Sequence, residues 1–421
     1  MDLPIQRVTG GQTCARRVLW RWLAGAALAG LAFCGAGLDS AAAATPYLNL
    51  NLFQQEDMRA MAMGNAFGPV ARGETALQYN PAGLATYDFD LKAEYSGTLM
   101  FPSTAEAFIT DTEKVSSGSP SPQAILNYLT KYSGTSLTLD YQTYGSAVAN
   151  LAEFYTGLGA GYLDVHRDSL AFGTFAAGPP PTGSVTLSTQ ESREALGGLA
   201  AKLFDGKVLL GVTAKSVQYT AQYTSETYAS IVSGGKLNLN LAPTKYESMT
   251  AYDAGLIYRM EWLSFLKPQW SLTAYNIGGY TLRGTNPQMV VQRAYVPGTY
   301  NFGFSLQPDI GFVHILVAAE AEDLGQSILV TDPATGLNHR RAEDQLYHAG
   351  MEVGFFRTPT GNNWISLRGG YDQGYPTYGA ELNLGGFLRA VYTVATENVG
   401  WQGHPILFKF TAYQAALGIA W

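Results

Sequence analysis

The chain reads as an all-β protein, a transmembrane antiparallel β-barrel of about fourteen strands, on three observations. The first is composition. Only 14% of the 421 residues are charged, while Tyr and Gly number 26 and 47. A soluble domain usually carries about 25% charged residues. A mean hydropathy of −0.02 excludes a helical membrane bundle. The second is a recurring two-residue alternation of apolar and polar side chains, the period of a strand with two unlike faces. The third is that long and short connections alternate, as they do in barrels with short turns at one end and long loops at the other.

The N-terminus reads as an export signal. Arg16, Arg17 and Arg21 precede an apolar run from Leu23 to Phe33, and Ala41 to Ala44 offer a small-residue cleavage site. This predicts removal of residues 1–44. Both cysteines, Cys14 and Cys34, lie in that stretch. The mature chain is therefore expected to have no disulfide, thiol nucleophile or cysteine-ligated metal.

Residues 58–84 are too rich in small residues for an amphipathic helix and too broken by Gly and Pro for a strand. Gly64, Gly68, Gly73 and Gly83 permit close backbone approach. Asn80-Pro81 drives Asn80 out of the helical region and lets Pro81 open a helical turn. A compact, glycine-jointed segment of this kind is expected to pack inside something larger, and a surface loop is the alternative reading.

The run Ala60-Met-Ala-Met-Gly-Asn-Ala-Phe67, with Tyr79-Asn-Pro-Ala-Gly-Leu84, resembles the N-terminal hatch of FadL-type outer-membrane proteins. These are channels of Gram-negative bacteria for long-chain fatty acids and aromatic hydrocarbons. The run also resembles the related PorV/PorQ-type barrels, associated with secretion and surface display. It departs from the usual pattern at Asn65 and at Ala71-Arg72-Gly73-Glu74. The resemblance implies a hatch over residues 45–86 inside a barrel formed by residues 87–421, with Arg59, Gly64, Asn80, Pro81 and Gly83 as hatch or gate positions. It further implies a monomer in the cell outer membrane of a Gram-negative bacterium, in contact with outer-membrane lipid. The implied function is passive uptake of hydrophobic small molecules, fatty-acid- or hydrocarbon-like. The alternative is a non-transporting PorV-like scaffold for protein secretion or surface attachment.

Along the rest of the chain, Tyr300, Phe302, Phe304 and Leu306 share one face, and Asn301, Gly303 and Ser305 the other. Val313 to Glu322 repeats the pattern, with His314, Glu320 and Glu322 on its polar side. Longer connections are read near 101–150, 179–193, 222–246, 277–296, 323–345 and 397–405. Shorter ones are read at Asp164–Asp168, Asp205-Gly206, Pro308–Ile310 and Gly385-Gly386, with a short exception near Asp372–Pro376. A soluble sandwich would show the same side-chain alternation but has no reason for this asymmetry of connections. Trp262, Trp270, Trp364 and Trp421 fall at segment ends, where indole suits a headgroup layer. The terminal Tyr413, Leu417, Ile419 and Trp421 share a face, and this ending resembles the signal read by barrel-assembly machinery. Residues 123–131 have helical spacing in the first long connection. Ile125, Leu126 and Leu129 there form either an apolar capture surface at the mouth or a face that packs the loop onto the rim.

A net charge of −7 gives no support to nucleic-acid binding. None of the five histidines sits in a metal-ligand spacing, and no nucleophile elbow or phosphate-binding loop occurs. No catalysis, cofactor or metal is expected. A basic residue facing lipid at mid-depth costs roughly 2–4 kcal/mol, so Arg368, Arg389 and Lys409, with Glu320 and Glu322, are expected to face the lumen. There they either pair with the hatch or line a permeation path.

Overall fold

The structure, a computed structural model, describes residues 57–86, 91–116, 121–133, 136–151, 156–172, 183–234, 244–261, 263–284, 293–324, 329–331, 338–340, 346–357, 362–398 and 407–420. The expected export signal, residues 45–56 of the expected hatch, Trp262 and Trp421 lie outside the described residues.

Fourteen antiparallel strands form the wall: β1 Leu91–Pro102, β2 Ser136–Leu151, β3 Thr156–Phe172, β4 Ser184–Leu203, β5 Val208–Thr227, β6 Met249–Arg259, β7 Gln269–Tyr275, β8 Thr299–Leu306, β9 Val313–Ala321, β10 Tyr347–Arg357, β11 Asn363–Asp372, β12 Tyr375–Leu384, β13 Leu388–Asn398 and β14 Leu407–Ala420. Each pairs with the next in sequence. β1 pairs with β14 from Lys92↔Ala420 to Pro102↔Phe410, which closes the barrel and leaves no free sheet edge.

Burial follows the period of two. In β8, Asn301, Gly303 and Ser305 point inward while Phe302 is exposed; in β9, His314, Leu316, Ala318 and Glu320 point inward while Val317 is exposed. The outward face carries Tyr141, Tyr162, Tyr347, Tyr371, Tyr378, Tyr392 and Tyr413, all exposed. This is the aromatic girdle of a transmembrane barrel. Trp270 and Trp364 are also exposed, each beside a short connection.

The connections alternate as expected, with Gln373-Gly374 as the short exception between β11 and β12. Their positions differ in one region. Asp164–Asp168 is no turn: β3 runs straight through it in register with β2 and β4. Likewise β2 begins at Ser136, β4 begins at Ser184, and β5 continues to Thr227. These strands are 16, 17, 20 and 20 residues long. A bilayer needs only about 9–11. Along this extra length polar residues fall on both faces, Asp140 and Gln142 inward and Asp164, His166 and Glu191 outward, which hides the alternation.

Two helices fill the first long connection, α1 Ala105–Ser116 and α2 Pro122–Tyr132. Ser121 caps α2 by accepting from Ala124 N, and Pro122 sits where its missing N–H costs nothing. Hydrogen bonds from Lys131 and Tyr132 of α2, and from Lys114 of α1 itself, lower the Asp111 carboxyl of α1 to about 2, and the first two tie the helices together.

Candidate functional site

Residues 57–86 lie against the inner face of the wall. Asp57 opens the helical turn Met58–Ala62 by accepting from Arg59 N at 2.8 Å and Ala60 N at 3.3 Å. Gly64 turns the chain with φ +63°. Asn80 is extended, as its place before proline requires, and Pro81 begins a 3-10 turn to Thr86.

The segment reaches opposite sides of the barrel. Met58 and Met61 pack on Met100, Val391 and Ala412, from β1, β13 and β14. Met63, Phe67 and Val70 pack on Leu316 and Ala318 of β9. Leu77 and Leu84 pack on Val148, Leu163, Leu196, Leu209 and Ile257, from β2 to β6. Wall glycines allow the backbone to come this close. A Cβ on Gly350 of β10 would stand 2.1 Å from Met63 O, and one on Gly255 of β6 would stand 2.0 Å from Asn80 Oδ1.

Asn80 is fully buried. Its Nδ2 donates to Gly68 O at 3.2 Å and to Leu256 O of β6 at 3.4 Å, and its Oδ1 accepts from Ala82 N at 3.1 Å. Gly83 is pressed against Ala71, where a Cβ would lie 2.1 Å from the carbonyl oxygen.

Charges make the longest connection. Arg59 donates to Glu352 at 2.8 and 3.1 Å. Arg368 donates to the same carboxylate at 2.7 Å and to Glu381 at 2.8 Å. Arg389 stands 4.0 Å from Glu381 and donates to Glu94 at 2.5 Å. Lys92 bridges Glu94 at 2.9 Å and Glu74 at 2.7 Å. Cation and anion alternate along this line, which starts at Arg59 and ends at Glu74, both on the segment. Buried ions persist when each has an opposite partner, and here each has one.

A second set anchors the middle of the segment. Glu320 accepts from Gly68 N at 2.7 Å and Asn301 Nδ2 at 3.1 Å. His348 Nδ1 lies 3.0 Å from Gly64 O and 2.8 Å from Asp372, and its Nε2 lies 3.4 Å from Glu322. Asn65 donates to Asp372 at 3.0 Å. At the short-connection end, burial disfavours the Asp309 carboxylate. Hydrogen bonds from Lys267 and His314 and the charge of Arg357 outweigh it and hold the group at about 2.

Of the charged residues expected inside, Glu320, Glu322, Arg368 and Arg389 point inward. Lys409 does not. It is exposed on the outer face of β14, sharing the parity of Tyr413 and Leu417. It sits two residue pairs from the long-connection end, within reach of water for a long side chain that extends its ammonium out of an apolar layer. Ile125 and Leu129 form no open capture surface. Both are buried in a cluster with Tyr132, Leu137, Phe172, Val185, Tyr228 and Ile231, and Leu126 is half-buried. The helix spends its apolar face on packing the loops onto the ends of β2 to β5, because that burial removes more apolar surface from water than exposure would.

Sequence reasoning assigned no lumenal role to Glu74, Lys92, Glu94, His348, Glu352, Asp372 or Glu381. The alternation of β10, with His348, Gly350, Glu352 and Gly354 opposite Met351 and Val353, carried the signal for two of them.

The outer wall has a groove of about 620 Å³ across β1 to β6, floored by Ala147, Ala160, Gly197 and Ala214 and walled by Leu158, Leu199 and Tyr252. Leu77 and Leu84 lie behind the same stretch of wall, against Gly159 and Gly198.

No protein-family model matches the chain, and no curated relative does. Solved structures do match. A TodX deltaS2S3 mutant monoaromatic hydrocarbon channel superposes with a TM-score of 0.52 at 13% identity, over 87% of this chain and 99% of that one. The Ralstonia pickettii toluene transporter TbuX gives 0.49 at 12% identity, over 87% and 99%, and the Pseudomonas putida toluene transporter TodX gives 0.47 at 12% identity, over 90% and 99%. At these identities the likeness is one of fold, and the chain has the closed fourteen-stranded barrel of the FadL-type hydrocarbon channels.

Proposed function

We propose that this protein is an outer-membrane channel for passive uptake of hydrophobic small molecules, with residues 57–86 acting as its hatch. The observation that carries this reading is a segment held across the lumen of a barrel whose fold is that of a monoaromatic hydrocarbon channel. An open barrel of this size passes small polar solutes, whereas an occupied one selects for ligands that move the segment or bypass it. The groove behind Gly159 and Gly198 supports a bypass, since only a layer of glycine and alanine separates it from Leu77 and Leu84. Substrates of the hydrocarbon class fit that apolar wall better than fatty acids, whose carboxylate would meet no cation there.

The test is uptake of radiolabelled toluene by Gram-negative cells expressing the full chain, against an empty vector. Faster uptake is expected, and equal uptake with the barrel assembled would overturn the proposal. The charged, filled mid-lumen favours a second reading, a PorV-like scaffold, and equal uptake is the result that reading requires.

Two further expectations arise here. The double change Asn80→Ala and Pro81→Ala removes hydrogen bonds to Gly68 and Leu256 and frees the chain before the last turn. Bilayer conductance should rise while the barrel still assembles; unchanged conductance would place the restraint in the charge line alone. For orientation, a cysteine at Gly206 should resist an impermeant thiol reagent on intact cells, and one at Asn338 should react. The reverse pattern would invert the assignment of short turns to the periplasm.

A further inference from the structure

Outside the lumen, one cluster has no part in the function proposed above. Asp164 and His166 alternate along β3 and therefore share its outward face. Glu191 of β4 is the register partner of His166 and points the same way. Three side chains from two neighbouring strands thus converge on one spot of the outer surface. The imidazole is held in place by Tyr141 of β2, whose ring stacks on it at 4.4 Å and 7°.

The spacing is that of a metal's ligands. His166 Nε2 lies 3.0 Å from Asp164 Oδ1 and 3.4 Å from Glu191 Oε1, and the three donor atoms lie within 4.8 Å of one another. Bonds of about 2.1 Å to a common ion place two ligands about 3.0 Å apart at a right angle and about 3.4 Å apart in a tetrahedron. A second observation points the same way. Asp164 Oδ1 is enclosed and has no hydrogen-bond partner among the described residues, although Nε2 stands at contact distance. The two atoms approach off the hydrogen-bond direction, as ligands of a shared third atom do. A positive group already visits the site: Arg193 contacts Glu191 and lies 3.5 Å from Asp164 Oδ2. Its side chain is half exposed, so displacing it returns the guanidinium to solvent.

We propose that Asp164, His166 and Glu191 bind one divalent transition-metal ion of the zinc class on the outer wall, displacing Arg193 and leaving outward coordination positions open. One imidazole with two carboxylates suits such an ion better than Ca²⁺ or Mg²⁺, which take oxygen ligands only.

The test is calorimetric titration of the purified full-length protein in detergent with Zn²⁺, after each variant has been shown to keep its heat-modifiable migration. One ion per chain is expected. His166→Gln and Glu191→Gln should each weaken binding by about tenfold or more. Arg193→Gln should tighten it several-fold by removing the competing cation. Co²⁺ should give a visible absorption band that His166→Gln abolishes. No saturable binding, binding unchanged by His166→Gln, weaker binding in Arg193→Gln, or displacement of Zn²⁺ by equimolar Ca²⁺ would each overturn the proposal.

Discussion

Replacing Gly350 by Val should drive residues 57–86 off the wall without unfolding the barrel. Valine suits a strand, so β10 itself loses nothing. Its Cβ, however, would stand 2.1 Å from Met63 O and 2.6 Å from Met63 C. These are backbone atoms, and a Cβ on the neighbouring Gly64 would itself stand 2.6 Å from the Tyr371 backbone. No side chain can rotate to relieve the clash, so the segment must move. Trypsin should then cut at Arg59 or Arg72, bilayer conductance should rise, and the protein should still migrate as a folded barrel. Gly97→Val is the control, because a Cβ there meets nothing within 4 Å. Resistance to trypsin equal to the wild type in Gly350→Val would show that the segment is not seated as described.

The second large effect is expected from Glu352→Ala. Glu352 takes hydrogen bonds from Arg59 and Arg368, and Arg368 and Glu352 are almost wholly buried. Removing the shared carboxylate strands Arg59 and leaves Arg368 with Glu381 alone. Breaking a buried pair by deleting one partner costs about 3–5 kcal/mol, because the remaining charge stays buried without compensation. The midpoint of heat-modifiable unfolding should fall accordingly. Replacing Arg59 and Glu352 together by Leu should recover part of the loss, since two apolar groups need no partner. A Glu352→Ala barrel that unfolds at the wild-type midpoint would show that the charge line contributes nothing to stability.

Much of this arrangement was legible in the sequence, and the reason is the strand period. Where β8 and β9 cross the apolar layer, one face must be greasy, so Phe302 and Val317 declare the outside and Asn301 and Glu320 the inside. Composition, alternation and the asymmetry of connections determined a barrel of fourteen strands. The glycines, Asn80 and Pro81 marked residues 58–84 as a segment built for close packing. That constraint fades where the strands leave the layer, and β2 to β5 were misplaced there, with β3 broken at Asp164–Asp168. What only the tertiary structure decided is which residues meet. Arg59 and Glu352 are joined at 2.8 Å between the inner segment and the wall, and Glu74, Lys92, Glu94 and Arg389 bring together both ends of the barrel chain. Period two tells which way a side chain points, not which strand stands opposite, because register and closure are set by pairing over the whole sheet. The same limit applies to Ile125 and Leu129: a helical apolar face is readable, but its buried partners Phe172, at the end of β3, and Tyr228, just after β5, are distant in sequence.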